Sequence, residues 1–249
     1  MLLELDVLVS KYEMKVKGII HIGAHRGEEV EEYKKMFGQE IKLHLFEPQS
    51  EHFKILEAMY ESNSDIKLYN FGCGDKKENV NLNKADNDGL SSSVLNPKLH
   101  LNLHPEVKFI SKELIKIEKL DSFKIQDSNF VAIDVQGYEL KALKGGVDTI
   151  KKLDYIFLEI NKEEVYEDCP LVDDIDKFLI DYGFLRVETK YAYDYLPWGD
   201  AFYIKKNLIT QKQKAKSKIK NYIFSSDLLY KPFIYIRKKI WKIIVYSKS

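Results

Sequence analysis

Three short runs end on residues that can do acid-base or ligand chemistry. LHLFEP closes on Glu47, FVAID closes on Asp134, and LEIN carries Glu159 and Asn161. Apolar, strand-forming residues lead into each, so each polar group is carried to the end of a buried strand. Partial burial raises a carboxylate's pKa toward the range of a general base, which makes Asp134 the first candidate to take a proton from a reacting hydroxyl. Capping, or contact with a ligand amine, is the alternative for Asp134. Asp134, Glu159 and Asn161 also offer the oxygen ligands that Mg²⁺ takes. Such oxygens are common at strand ends without metal, and no metal site is assigned.

A second feature is the turn Gly23-Ala24-His25-Arg26-Gly27, between the run GIIHI and the helix-favouring EEVEEYKKMF. A strand that turns into a helix there aims free N–H groups and the positive helix end at one point. Glycine permits close backbone approach to a ligand. The spacing Gly-x-x-x-Gly is not the dinucleotide fingerprint. Glu47, twenty positions beyond Gly27, stands where an acid meets a ribose diol in nucleoside-binding sheets. An ordinary turn glycine and a capping Glu47 are the plainer alternative. His21, in a strand buried on both faces, reads as a hydrogen-bonded core histidine. His25 reads equally as a ligand contact or a polar surface residue.

The stretch Asp75 to Pro105 is Gly/Pro-punctuated and polar, a long loop with one short strand over ENVNLNKA. Its Ser91, Ser92 and Ser93 are candidates to hydrogen-bond a ligand, and His100 and His104 are alternative bases. Trp198 and Asp200 in LPWGDAF set an aromatic face beside a carboxylate, which suits a sugar ring, although Trp198 equally suits a core. Glu139, just inside a helix, reads as an outward-facing capping partner.

These residues need a frame, and the sequence supplies strand-like and helix-like runs in alternation. Strands are predicted at 18–22, 41–46, 66–71, 130–135, 155–160, and over LRVETK and AFYIKK. Helices fall over 28–37, from Ser50 as N-cap to Tyr60, over YELKALKG and over LVDDIDKFLIDYGF. That order predicts an α/β fold with a mostly parallel sheet covered by helices.

The 249 residues, 45% apolar, suffice for one large domain, or a medium one with an appendage. Cys73 and Cys169 have neither metal-ligand nor redox spacing, which points to a cytoplasmic setting. The N-terminal stretch has acids within its apolar residues, unlike a secretory signal, and no run approaches the roughly 20 apolar residues of a membrane span. Zero net charge hides a division: residues 208–249 carry eleven Lys/Arg against Asp227 alone. This basic, aromatic-rich tail suits either the inner face of an anionic membrane, with Pro232 interrupting any helix, or packing on an acidic body or in a homo-oligomer interface. No nucleic-acid motif accompanies it.

GIIHIGAHRGE, LFEP, GCGDK, LSSSV, IEKLDSF, FVAIDVQGYELKALKG, LEIN and WGDAFYIKK, in that order, resemble the FkbM-type S-adenosylmethionine-dependent methyltransferases over about residues 17 to 206. The resemblance implies a Rossmann-like class I methyltransferase domain over residues 1–207, with a seven-stranded sheet, an antiparallel last strand and helices on both faces. It implies S-adenosylmethionine as donor, S-adenosylhomocysteine as product, and O-methylation of a sugar, in a surface polysaccharide or glycolipid precursor, or of another natural product. Gly23, Ala24, His25 and Gly27 would face the donor's methionine part and Glu47 and Pro48 its ribose. Gly72, Val135 and Gln136 would complete the donor site, with Asp134, Glu159 and His25 catalytic. Ser92, Ser93, His104, Trp198 and Asp200 would meet the acceptor. The chain departs from the family pattern at His21 and His25, where acid and amide are usual, and at Gln136, where glutamate is usual. Those departures keep a non-catalytic nucleoside-binding partner of a glycosyltransferase as a rival.

Overall fold

The structure is a computed structural model that describes residues 2–192, 196–210 and Gln213. In chain order its elements are α1 (Leu5–Tyr12), β1 (Gly18–Ile22), α2 (Val30–Phe37), β2 (Lys42–Phe46), α3 (Ser50–Tyr60), β3 (Ile66–Tyr69), β4 (Gly72–Cys73), β5 (Glu78–Ala85) and α4 (His100–Leu103). Then follow β6 (Phe109–Glu118), β7 (Phe130–Ile133), α5 (Glu139–Lys144), α6 (Val147–Ile150), β8 (Tyr155–Asn161), α7 (Val172–Asp181), β9 (Phe184–Tyr191) and β10 (Trp198–Lys205).

Seven strands form the main sheet in the order β3-β2-β1-β7-β8-β10-β9, parallel except for β10, which runs against both neighbours. This is the mostly parallel sheet with a reversed last strand that the sequence implied. Helices α1, α2 and α3 bury Leu5, Leu8, Val30, Tyr33, Leu56 and Tyr60 against one face. Helices α5, α6 and α7 bury Ala142, Leu143, Ile150, Ile175 and Leu179 against the other. The strands are apolar at consecutive positions because both faces are covered: all five residues of GIIHI are buried.

Local signals explain most boundaries. Gly38 ends α2 at φ +101°, a conformation glycine takes without steric cost. The expected N-cap at Ser50 is corrected: Ser50 is already helical, and both its N–H (2.9 Å) and its hydroxyl (2.8 Å) donate to Glu113 of β6. A carboxylate from another element satisfies the helix's free donors and its dipole better than a local hydroxyl would.

The long middle segment holds more structure than a loop. Strands β4, β6 and β5 form a second sheet, and β6 lies outside the expected strands. Leu114 and Ile110 point to solvent on β6 and blur its alternation, while Ile115 and Ile117 turn inward. Among the described residues no helix is long and apolar enough to cross a membrane. Residues 214–249, with the expected membrane-surface segment and Pro232, lie outside the described residues.

Candidate active site

Register in the main sheet builds the site. Ile133 pairs with Leu158 across β7 and β8, so Asp134 and Glu159 occupy the next rung, and Glu159 pairs with Asp200 across β8 and β10. Side chains alternate faces along a strand. Phe157 and Phe202, one pleat back, pack in the cluster under α1 to α3, and Ala132 pairs with Phe157, so these three mark the face those helices cover. Asp134, Glu159 and Asp200 therefore stand in a row on that face, on strands about 4.8 Å apart. His21, which pairs with Ala132, lies one pleat below, its Nδ1 3.3 Å from the Tyr33 hydroxyl. The core reading of His21 is half right: it is buried and partnered, yet it also lines the cleft.

The row opens into a cleft of about 380 Å³ at the strands' C-terminal ends, where the strand order reverses between β1 and β7. Open α/β sheets bind ligands at such a reversal, and the volume falls in the small-ligand range. Glu28, Glu29, Glu47, Asp134, Glu159 and Asp200 line it with His21 and His25, and among the described residues no Lys or Arg does. Leu82, Val94, Ile115 and Ile117, largely from the second sheet, supply an apolar wall. Asp134 is open to the cleft's water, but the surrounding protein is bulky enough that desolvation pushes its pKa up against the Gln136 hydrogen bond and the His21 charge. Desolvation pushes Glu159 up further, helped by the negative charges of Asp134, Glu139 and Asp200.

Glu47 is buried at the cleft wall and faces inward. Its Oε2 accepts from His25 N (2.9 Å) and its Oε1 from Gln49 N (2.7 Å), and burial pushes its pKa up to about 7. Each oxygen keeps a lone pair for a further donor. Gly23 lines the cleft, as expected of a donor-facing turn, and also meets a packing demand. A Cβ there would meet the Asp134 carbonyl at 1.9 Å, and φ is +85°, so the glycine lets β1 pass against the end of β7. Gly23→Ala therefore loses roughly 3 kcal/mol or more of stability, read by chemical denaturation. A loss below 1 kcal/mol, roughly the scale of an ordinary surface change, contradicts this geometry.

The other expected site residues divide. Gly23, His25, Pro48, Gly72, Val135, Gln136 and Ser92 line the cleft with the acids. Ala24 and Gly27 do not: Ala24 is core, and Gly27 lies against Leu56 and Tyr60 of α3. Ser93 is fully buried, its hydroxyl donating to the Gln136 carbonyl at 2.7 Å. Trp198 packs beside Val165, Tyr166 and Cys169, and His104 sits 6.3 Å from its ring, both away from the cleft. Asp200 lines the cleft while accepting the N–H groups of Leu2 and Leu3, so it also ties down the chain's start. Glu139 points inward, taking N–H from Val135 and Gly137, which corrects the outward reading. Sequence reasoning missed Glu28, Glu29 and the apolar wall as cleft residues, and it missed Tyr166 altogether.

Comparison with known proteins decides the family. Residues 21–186 match the family described as Methyltransferase FkbM domain. The chain belongs to the FkbM methyltransferase family. It is 24% identical over 170 residues to the 2-O-methyltransferase NoeI of Sinorhizobium fredii, covering 64% of this chain and 70% of that protein. The solved FkbM methyltransferase of Methylobacillus flagellatus superposes with a TM-score of 0.51 at 16% identity, over 76% of this chain. The match spans 43% of that chain, less than half its length.

In this FkbM chain, His25, His52 and Asp88 stand close enough to suggest a metal triad. Their ligand atoms are already engaged. His25 has Glu28 Oε1 at 2.7 Å on Nδ1 and the Asp88 carbonyl at 2.8 Å on Nε2, while Arg26 pairs with the Asp88 carboxylate. Two acceptors on one imidazole favour its doubly protonated form and raise its pKa despite burial. The cluster latches the loop bearing Asp88 to the glycine turn.

Stability should follow the buried acids. Burial pushes Glu47 and Glu139 up to about 7 and Asp200 up to about 6. These folded-state values exceed the unfolded ones, so the stabilisation is complete below the unfolded pKa and is lost as pH rises through the folded value. The ligand-free protein therefore loses on the order of 1 kcal/mol for each of Glu47 and Glu139 between pH 6.5 and 8, Asp200 having lost most of its share below that window, and Tm falls by a few degrees. His44, His52 and His100, held low by burial, act in the opposite sense only below about pH 7. A Tm that rises from pH 6.5 to 8 contradicts the assignment.

Proposed function

We propose that the chain transfers a methyl group from S-adenosylmethionine to a hydroxyl of a sugar in a glycan or glycolipid precursor. The observation that carries the reading is the cleft: among the described residues, six carboxylates, no Lys or Arg, and an apolar wall beside a buried acid. A cationic nucleoside fits that composition. Glu47 would accept the ribose hydroxyls, and Leu82, Ile115 and Ile117 would cover the base. When bound, the donor supplies an electrophilic methyl carbon on a sulfonium.

The chain's own residues would supply orientation and a proton acceptor. Asp134, Glu159 and Asp200 line the cleft, and Asp134 would take the acceptor's O–H proton while Glu159 and Asp200 would accept its neighbouring hydroxyls. Holding both reactants in line contributes most of the acceleration. Similarity to a 2-O-methyltransferase supports oxygen as the atom modified. The carboxylate row supports a polyhydroxylated acceptor.

The test is transfer of label from [methyl-³H]S-adenosylmethionine to UDP-glucose, UDP-galactose, UDP-N-acetylglucosamine, GDP-mannose, GDP-fucose and lipid-linked oligosaccharides. Label in a sugar as a base-stable methyl ether is expected. Label confined to non-sugar acceptors, or none despite donor binding, contradicts the reading.

A further inference from the structure

Gln136 is the hub of the acid row. It follows Val135 with φ +51°, rare for a glutamine, and Ser93 holds its carbonyl. Its Nε2 lies 2.8 Å from Asp134 Oδ1 and 3.3 Å from Glu159 Oε2. Its Oε1 lies 2.9 Å from the hydroxyl of Tyr166, a ring that is 1% exposed. An amide has one donating and one accepting end, and only the donating end suits two carboxylates. The Tyr166 hydroxyl, by donating to Oε1, fixes that orientation. The Ser91 carbonyl, at 3.0 Å, shares the hydroxyl's single proton with Oε1 in a bifurcated bond, which joins the loop over the cleft to the same network.

We propose that Gln136, oriented by Tyr166, is the positioning residue that holds Asp134 and Glu159 as one proton-sharing pair, whose ionised member faces the acceptor hydroxyl. This rests on the methyl-transfer reading. As the acceptor's oxygen bonds to the methyl carbon, the sulfur–carbon pair leaves with sulfur and the O–H proton passes to the pair. Glutamate at 136 would replace two N–H donors by another negative charge, so the glutamine matters chemically. The pair is faced by His21 from β1, Glu29 ahead of α2, Glu139 from α5, Asp200 from β10 and Tyr166.

The first readout needs no acceptor. In ¹H–¹⁵N spectra of the full chain with S-adenosylhomocysteine, the Gln136 side-chain amide should titrate with the pair. In Tyr166→Phe the amide should lose its fixed orientation and its signals should broaden or average. The second readout is the pH profile of kcat with whichever sugar of the panel takes label. Gln136→Glu should move its half-maximum up by about one unit. Tyr166→Phe should lower kcat about tenfold, with acceptor KM within about twofold. Should Gln136→Glu not fold, Gln136→Leu takes its place, with a displaced half-maximum expected. Amide signals that neither titrate nor respond to Tyr166→Phe overturn the inference, as do unmoved pH profiles. A wild-type chain that binds donor but labels no sugar overturns instead the proposed function, while the amide titration still judges the pair.

Discussion

Replacing Asp134 with asparagine is expected to lower kcat by about 100-fold or more, the scale of a lost general base. The side chain is near-isosteric, and the Gln136 contact can turn to the new amide's oxygen, so the strand end keeps its shape. What disappears is the acceptor of the hydroxyl proton. Burial, helped by the Glu29 charge, holds the Asp134 pKa up, so a base there would be poised above an ordinary aspartate. Affinity for S-adenosylhomocysteine, which has no sulfonium charge, should change by only about threefold, whereas the cationic donor should lose more. Steady-state kinetics with calorimetry of both ligands separates the effects. An unchanged kcat, or equal losses for both ligands, removes Asp134 from the chemistry.

Glu47→Ala is expected to act on binding. A carboxylate taking two ribose hydroxyls makes charge-assisted hydrogen bonds, so its loss should weaken donor and product alike, about 10- to 100-fold. The same change strips His25 N and Gln49 N of their acceptor. Each buried N–H then costs about 1–3 kcal/mol, and the melting temperature should fall as well. Donor binding at saturating concentration should recover much of kcat, because the proposal puts Glu47 at the ribose end and not at the transferred group. Normal affinity in a folded variant contradicts the assignment; a kcat lost at saturation contradicts the placement.

Much of this site is legible in the chain because it follows from strands. An apolar run that ends on an acid places that acid at the C-terminal end of a strand, and Glu47, Asp134 and Glu159 all arrive at that end of the sheet. Asp200 is legible by motif, but its tie to Leu2 and Leu3 depends on a contact nearly the whole chain away. The glycines divide: Gly23 lines the cleft while also making room for the Asp134 carbonyl, whereas Gly27 makes room for α3 side chains and does not line the cleft. Ser93, His104 and Trp198 had the right chemistry for a sugar, yet the fold spends them on loop anchoring and packing. Tyr166 lies in an irregular stretch without period or motif, and only the folded chain brings it to Gln136. Strand β6 was obscured by Leu114 and Ile110, apolar residues on its solvent face, and with it went the cleft's apolar wall.

The central claim is that an adenosine compound occupies the cleft at the β1/β7 reversal with its ribose on Glu47. Crystals grown with S-adenosylhomocysteine test it most directly. The account predicts both ribose hydroxyls within about 3 Å of the Glu47 carboxylate and the sulfur turned toward Asp134 and Glu159. Density for the nucleoside elsewhere, or in the cleft with its ribose away from Glu47, would contradict it.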